Sequence, residues 1–160
     1  MMAERIFVGL GANLGDARAT LERALEALAA LPEVELVAQS GRYRSAPVLA
    51  AGPDFINAVA ELRSTLQPLP LLRELQAIEQ AFGRQRPYPN APRTLDLDLL
   101  LYGQRVLDLP ELSLPHPRLQ DRAFVLRPLL ELAPGLQHPL LGVLQPRLDA
   151  TADQIIERLP

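Results

Sequence analysis

Apolar positions recur along this chain with two periods, and the changes between them predict its elements. Arg5 to Leu10 (RIFVGL) is a short apolar run that reads as a buried strand, and the GANLGD after it is a turn with glycines placed where positive φ can be needed. From Ala17 to Ala30, Leu21, Leu25 and Leu28 recur at helical spacing, with Pro32 as the stop. Val34 to Tyr43 reads as extended, with Gly41 at a bulge, and Ser45 to Pro53 is a small-residue loop bounded by prolines. Phe55 to Arg63 alternates as a strand does. Pro68 and Pro70 then open a helix whose apolar stripe runs from Leu71 to Phe82 and stops at Gly83. Leu95 to Tyr102 (LDLDLLLY) is a further strand. The C-terminal third predicts helices over Phe124 to Leu132 and near Asp153 to Leu159. The order β-α-β-β-α-β is that of a ferredoxin-like α+β sandwich: an antiparallel sheet with both helices on one face, the other face left open for a site, and a helical C-terminal extension.

Composition narrows what such a site can do. With 160 residues, 48% of them hydrophobic, residues 1–160 are expected to form a single domain. No apolar run approaches the roughly 18 residues of a membrane span, so no membrane partner is expected. The absence of cysteine excludes disulfides, thiolate metal sites and cysteine nucleophiles. All 16 basic residues are arginine, which removes Schiff-base chemistry and the lysine-dependent phosphate loop together. A net charge of −3 argues against broad nucleic-acid contact. The apolar stretch Ile6 to Leu10 is too short for an export signal, so a cytoplasmic monomer is expected.

Three groups of residues carry candidate chemistry. Asp96 and Asp98 alternate on a strand, so both carboxylates point to one face, with Cα atoms roughly 6.5 Å apart. Hard oxygen donors in that arrangement select magnesium over zinc. An isolated D-x-D is more often a plain solvent face, but here Arg84 to Arg93 (RQRPYPNAPR) leads into the strand with three arginines and no acid. Cation-binding and phosphate-binding groups are thereby adjacent, as phosphoryl transfer requires. Arg122 in PHPRLQDRAF joins Arg84, Arg86 and Arg93 as a phosphate candidate, while His116 reads equally as a phosphate donor or as a structural histidine. In FINAVAELR, Phe55, Asn57, Val59 and Glu61 share one face and Ile56, Ala58, Ala60 and Leu62 the other. An amide beside an aromatic ring suits the edge and plane of a flat heterocycle, although a strand asparagine often only bonds a loop. The glycines of GLGANLGD are spaced G-x-G-x-x-x-G, which is not the dinucleotide-binding pattern.

Taken together, GLGANLGD, YRSAPV, PDFINAV, LQAIEQAFGRQR, APRTLDLDLLLYG and LSLPHPRLQDRAFVLRPLLELAP resemble the 6-hydroxymethyl-7,8-dihydropterin pyrophosphokinases of folate biosynthesis, nearly end to end. The resemblance implies diphosphoryl transfer from ATP to the pterin hydroxymethyl group, releasing AMP, with two magnesium ions. It implies metal binding by Asp96 and Asp98 and catalytic phosphate contacts from Arg84 and Arg93, supported by Arg86. It further implies ATP contacts at Gln76, Glu79, Leu99, Ser113, His116 and Arg122. The pterin pocket would be lined by Ser45, Ala46 and Val48, with Asn57 reading the amide edge between the aromatic walls Phe55 and Phe124. Where the family carries an aromatic before the loop's last arginine, this chain has Asn90, and Tyr88 is the candidate replacement. A ligand sensor without catalysis and a single-strand RNA-binding sheet are the rival readings. With 4% aromatic residues the chain lacks the stacking platform the latter needs.

Overall fold

The computed structural model describes residues 4–46, 53–83 and 95–160. Its centre is β1 (Ile6–Ala12), a strand whose two faces are both covered, as its near-continuous apolar run requires. Asp16 caps the helix that follows, α1 (Ala17–Ala29), its carboxylate accepting from the Ala19 N–H at 3.1 Å. The extended segment expected as one strand is two, β2 (Val34–Gln39) and β3 (Tyr43–Ser45). Both pair with the ten-residue β4 (Phe55–Ser64), β2 along its C-terminal half and β3 along its start. The helix α2 (Pro68–Ala81) and the strand β5 (Asp96–Tyr102) follow, so the order is β-α-β-β-β-α-β, one strand more than expected, with Gly83 at φ +86° ending the helix.

The main sheet runs β5, β1, β4, then β2 and β3, all antiparallel. Ile56, Ala58, Ala60 and Leu62 of β4 join Leu21, Leu25 and Leu28 of α1 and Leu71 and Leu75 of α2 in one core, on the face where both helices were expected. The other face departs from expectation, because it is partly covered. The helix α3 (Ala123–Leu132) buries Val125, Leu126 and Leu129 against Phe7, Val59, Leu100 and Leu101 in a second core. The physical cause is the helix's own apolar stripe, which needs a partner, and a register shift at Phe7/Val8 that turns both Leu100 and Leu101 toward it. What stays uncovered is the end of that face beside Asp96, Asn57 and Ser45.

The C-terminal end corrects a second expectation. After two short hairpins, β6 (Leu107–Asp108) with β7 (Ser113–Leu114) and β8 (Gln137–His138) with β9 (Gly142–Val143), the chain forms a five-residue helix, α4 (Gln145–Asp149). Ile156–Arg158, expected as helix, are a strand, β10, paired with β3. The outer edge of β3 offers unpaired backbone groups, and a terminal segment too short to hold a helix alone satisfies them. No helix among the described residues is long and apolar enough to cross a membrane.

Candidate active site

A cavity of about 290 Å³ opens where the sheet is uncovered. Its floor is a row of cross-strand neighbours. On β1, Gly11 stands between Asp96 of β5 and Asn57 of β4, and Gly9 between Asp98 and Val59. Because neither glycine carries a side chain, the floor between the carboxylates and the amide is bare backbone. The acidic pair and Asn57 therefore face one space from opposite sides.

Asn57 is held rather than free to rotate: its Nδ2 donates to the Ser45 hydroxyl at 2.7 Å, and the residue is 3% exposed. That bond depends on the break between β2 and β3, which sets Ser45 opposite Phe55 and on the same face as Asn57. Phe55 and Phe124 enter the cavity from β4 and from the start of α3, and Arg122 lies over the Phe124 ring at 5.5 Å. Ser45, Ala46, Phe55, Asn57, Asp96, Asp98, Arg122 and Phe124 thus line one cavity.

The remaining candidates stand elsewhere. Glu79 is buried on α2 and accepts from the Leu97 N–H at 2.8 Å, which takes up an outward-facing donor of the edge strand β5 between the two aspartates. Gln76, one turn earlier, is exposed. Leu99 points its side chain into the first core, at 2% exposure, so only its backbone could meet a ligand. Ser113 is half-buried on β7. His116 donates its backbone N–H to the Leu100 carbonyl at 2.9 Å, and its Nδ1 accepts from the Arg118 N–H at 3.2 Å. Burial lowers the His116 pKa, against the upward pull of Asp98 and with the positive charges of Arg122 and Arg118 lowering it further. Val48, Arg84, Arg86 and Arg93, with Tyr88 and Asn90, lie outside the described residues.

The sequence reading puts Gly11 in the GANLGD turn as a glycine for positive φ, but it lies within β1, and of the two glycines of that segment only Gly15 takes a positive φ, at 60°. Gly9 has no role there beyond the rejected dinucleotide motif. The two-residue alternation of Gly9 and Gly11 beside an equally alternating D-x-D was the available signal, since both then fall on one sheet face. As a donor set, Asp96 and Asp98 fit magnesium. Among the described residues no cluster of three or more His, Cys, Asp or Glu forms a closed cage, and magnesium is commonly held by one or two carboxylates with water and substrate phosphates completing its shell.

The family model described as 7,8-dihydro-6-hydroxymethylpterin-pyrophosphokinase (HPPK) matches residues 7–134. A 2-amino-4-hydroxy-6-hydroxymethyldihydropteridine pyrophosphokinase of Pseudomonas aeruginosa is 49% identical over 160 residues, covering 99% of each chain. The protein of that name from Synechocystis is 43% identical, covering 95% of this chain and 74% of its own. In fold, the chain is similar to a crystal structure of an HPPK-DHPS in complex with substrates, with a TM-score of 0.75 at 10% identity. That match covers 96% of this chain and spans 44% of the larger one.

Proposed function

This chain belongs to the 7,8-dihydro-6-hydroxymethylpterin-pyrophosphokinase family, and from that premise we propose how its cavity carries out the family's reaction. The enzyme transfers the diphosphoryl group of ATP to the hydroxymethyl group of 6-hydroxymethyl-7,8-dihydropterin, a step of folate biosynthesis. The pterin hydroxyl oxygen forms a bond to the β-phosphorus as the bond from that phosphorus to the oxygen bridging to the α-phosphorus breaks. AMP leaves, and the hydroxyl proton is released.

One observation carries the division of labour: Asn57 and the Asp96/Asp98 pair line one cavity on either side of the bare Gly11 floor. We assign Asn57 to the pterin amide edge, with Phe55 and Phe124 on the ring faces and the Ser45–Ala46–Val48 edge beside them. The Ser45 hydroxyl fixes which way the Asn57 amide points. Asp96 and Asp98 would hold two magnesium ions together with the triphosphate oxygens. When bound, magnesium neutralises phosphate charge and eases deprotonation of the attacking hydroxyl. Arg122 and His116, beside the carboxylates, face the nucleotide, as do Gln76 and Ser113 and the backbone at Leu99, while Glu79 keeps the β5 backbone in place through Leu97. Arg84 and Arg93, supported by Arg86, balance charge on the transferring group and exclude water. We read residues 1–160 as a single ferredoxin-like domain, acting as a cytoplasmic monomer on two small molecules with no nucleic-acid or membrane partner.

The test is incubation with ATP, magnesium and 6-hydroxymethyl-7,8-dihydropterin, followed by separation of the nucleotides. Pterin-dependent AMP with matching pterin diphosphate is expected. ADP would make the protein an ordinary kinase, and tight binding without turnover a sensor. Asp98→Ala is expected to lower kcat by at least about 10³-fold, the scale at which a main source of transition-state charge stabilisation is lost, with little change in Tm. Near-wild-type turnover of that variant at saturating magnesium would refute the metal assignment.

A further inference from the structure

We propose that Gln154 is a positioning residue for the pterin side of the cavity, fixing the segment 121–124 from which Arg122 and Phe124 enter it. The inference rests on the pyrophosphokinase reading and concerns a residue beyond position 134, where the family match ends. Three observations carry it.

The first is a missing cap. A helix start leaves backbone N–H groups without intrahelical partners. At α3 the N-cap residue is Arg122, which has no side-chain acceptor and makes no capping bond. Gln154 supplies one from a distant part of the chain: its Oε1 accepts from the Ala123 N–H at 2.9 Å, and its Nε2 donates to the Asp121 carbonyl at 2.8 Å. Both ends of one amide are thus spent on the two residues flanking Arg122.

The second is the space around the wall. A further cavity of about 270 Å³ shares Ser45, Ala46, Arg122 and Phe124 with the first and is also lined by Gln154. Phe124 and Arg122 therefore have open volume on two sides. Phe124 packs on the second core on one side only, so the hydrogen bonds at the root of the segment share in fixing it.

The third is how Gln154 is itself anchored. Its N–H donates to the Thr151 carbonyl at 2.9 Å, and the next residues form β10 on β3, placing Ile156 opposite Ser45. One short terminal stretch thereby ties the Phe124 wall to the strand whose Ser45 orients Asn57. Its loss would shift the two walls relative to each other while leaving Asp96 and Asp98 on β5 in place.

The test compares wild type, Gln154→Leu and Gln154→Glu by steady-state kinetics with 6-hydroxymethyl-7,8-dihydropterin, ATP and magnesium, alongside Tm. Gln154→Leu is expected to raise the pterin KM about tenfold, the size of effect that loss of a helix cap produces, with kcat within about twofold of wild type. Gln154→Glu supplies the signature that general loosening would not. A protonated carboxyl can accept from Ala123 and donate to Asp121, whereas the carboxylate can only accept. The charged groups around position 154 are Asp121, Arg122 and Arg127 of the facing elements and Asp153 beside it. The ratio of the Gln154→Glu KM to the wild-type KM is therefore expected to rise with pH, while the Gln154→Leu ratio stays flat. A wild-type pterin KM in a folded Gln154→Leu variant, or a pH-independent ratio for Gln154→Glu, would overturn the proposal. Should Gln154→Leu fail to fold, the pH profile of Gln154→Glu decides alone. Failure of the underlying reading shows differently, as no pterin-dependent AMP from the wild type, and takes this proposal with it.

Discussion

Gly11 links the two halves of the site through what it lacks. A Cβ added there would lie 3.3 Å from Asn57 Oδ1 and 3.7 Å from Phe55 Cδ1. The first distance is tight, and Asn57 cannot readily give way because Ser45 holds its other end at 2.7 Å. At Gly9 the added Cβ would meet only Leu100 side-chain atoms at 3.5 Å or more, an ordinary contact. Gly11→Ala should therefore separate folding from binding. Alanine in a strand interior relieves about 0.5–1 kcal/mol of the entropy cost that glycine imposes, which offsets the crowding against Asn57, so Tm is expected to change little. The pterin KM is expected to rise about tenfold as one well-placed hydrogen bond to the heterocycle is lost. A variant with higher Tm and unchanged pterin KM would show that the floor between Asp96 and Asn57 has room to spare. None of this depends on a rare backbone angle; the demand on Gly11 is the space above it.

The break between β2 and β3 works at the scale of elements, because it decides where Ser45 points. Ser40 bridges it: its N–H donates to the Val59 carbonyl at 2.9 Å, its hydroxyl accepts from the Val59 N–H at 2.9 Å, and that hydroxyl donates to the Gly41 carbonyl at 2.8 Å. A side chain thus stands in for a rung of the ladder. Gly41 turns its own N–H to the Glu131 carboxylate of α3 at 2.9 Å, and Tyr43 donates to the same group at 2.5 Å. Ser40→Ala leaves the buried Val59 N–H unpaired and is expected to cost about 1–3 kcal/mol, measured by urea unfolding. A loss below about 0.5 kcal/mol would mean that backbone pairing closes the gap unaided. The same break explains why some elements were legible in the sequence and others were not. α1, α2 and α3 follow from apolar spacing within one turn of each residue, and β5 from the alternation of its first half and the apolar run that continues it, so local pattern suffices for each. Splitting Val34 to Tyr43 requires knowing that β4 is long enough to pair two strands, and β10 requires knowing that β3 has an open edge. Both are facts about distant partners. Of the eight candidates that meet in the cavity, Phe55, Asn57, Asp96 and Asp98 were readable because they alternate on strands whose face the pattern defines, Arg122 from its segment, and Ser45, Ala46 and Phe124 only from the family resemblance. The covering of that face by α3 was not, since helix periodicity does not say which surface it will meet.

For the molecule as a whole, two cores on opposite faces of one sheet leave few buried polar groups without partners, and among the described residues His138 Nε2 is the one such side-chain atom. Its Nδ1 accepts from the Leu140 and Leu141 N–H groups, each at 3.1 Å, an arrangement only the unprotonated nitrogen can make. Burial lowers its pKa below the ordinary 6.5, and the nearby positive charge of Arg147 lowers it further. The consequence for stability has a definite sign. Above pH 6.5 folded and unfolded chains both carry a neutral His138, and the contribution is complete. As pH falls below that value the unfolded chain takes up a proton that the folded one refuses, and stability declines until the folded pKa is reached. One proton limits this decline to about 1.4 kcal/mol per pH unit. His138→Asn keeps a side-chain oxygen that can accept from the same turn and removes the titration. Urea unfolding at pH 8 and pH 5 is expected to show a smaller loss of stability on acidification for His138→Asn than for wild type. Equal losses in the two proteins would mean that the β8–β9 turn accommodates the protonated imidazole, and that the acid sensitivity of the fold arises elsewhere.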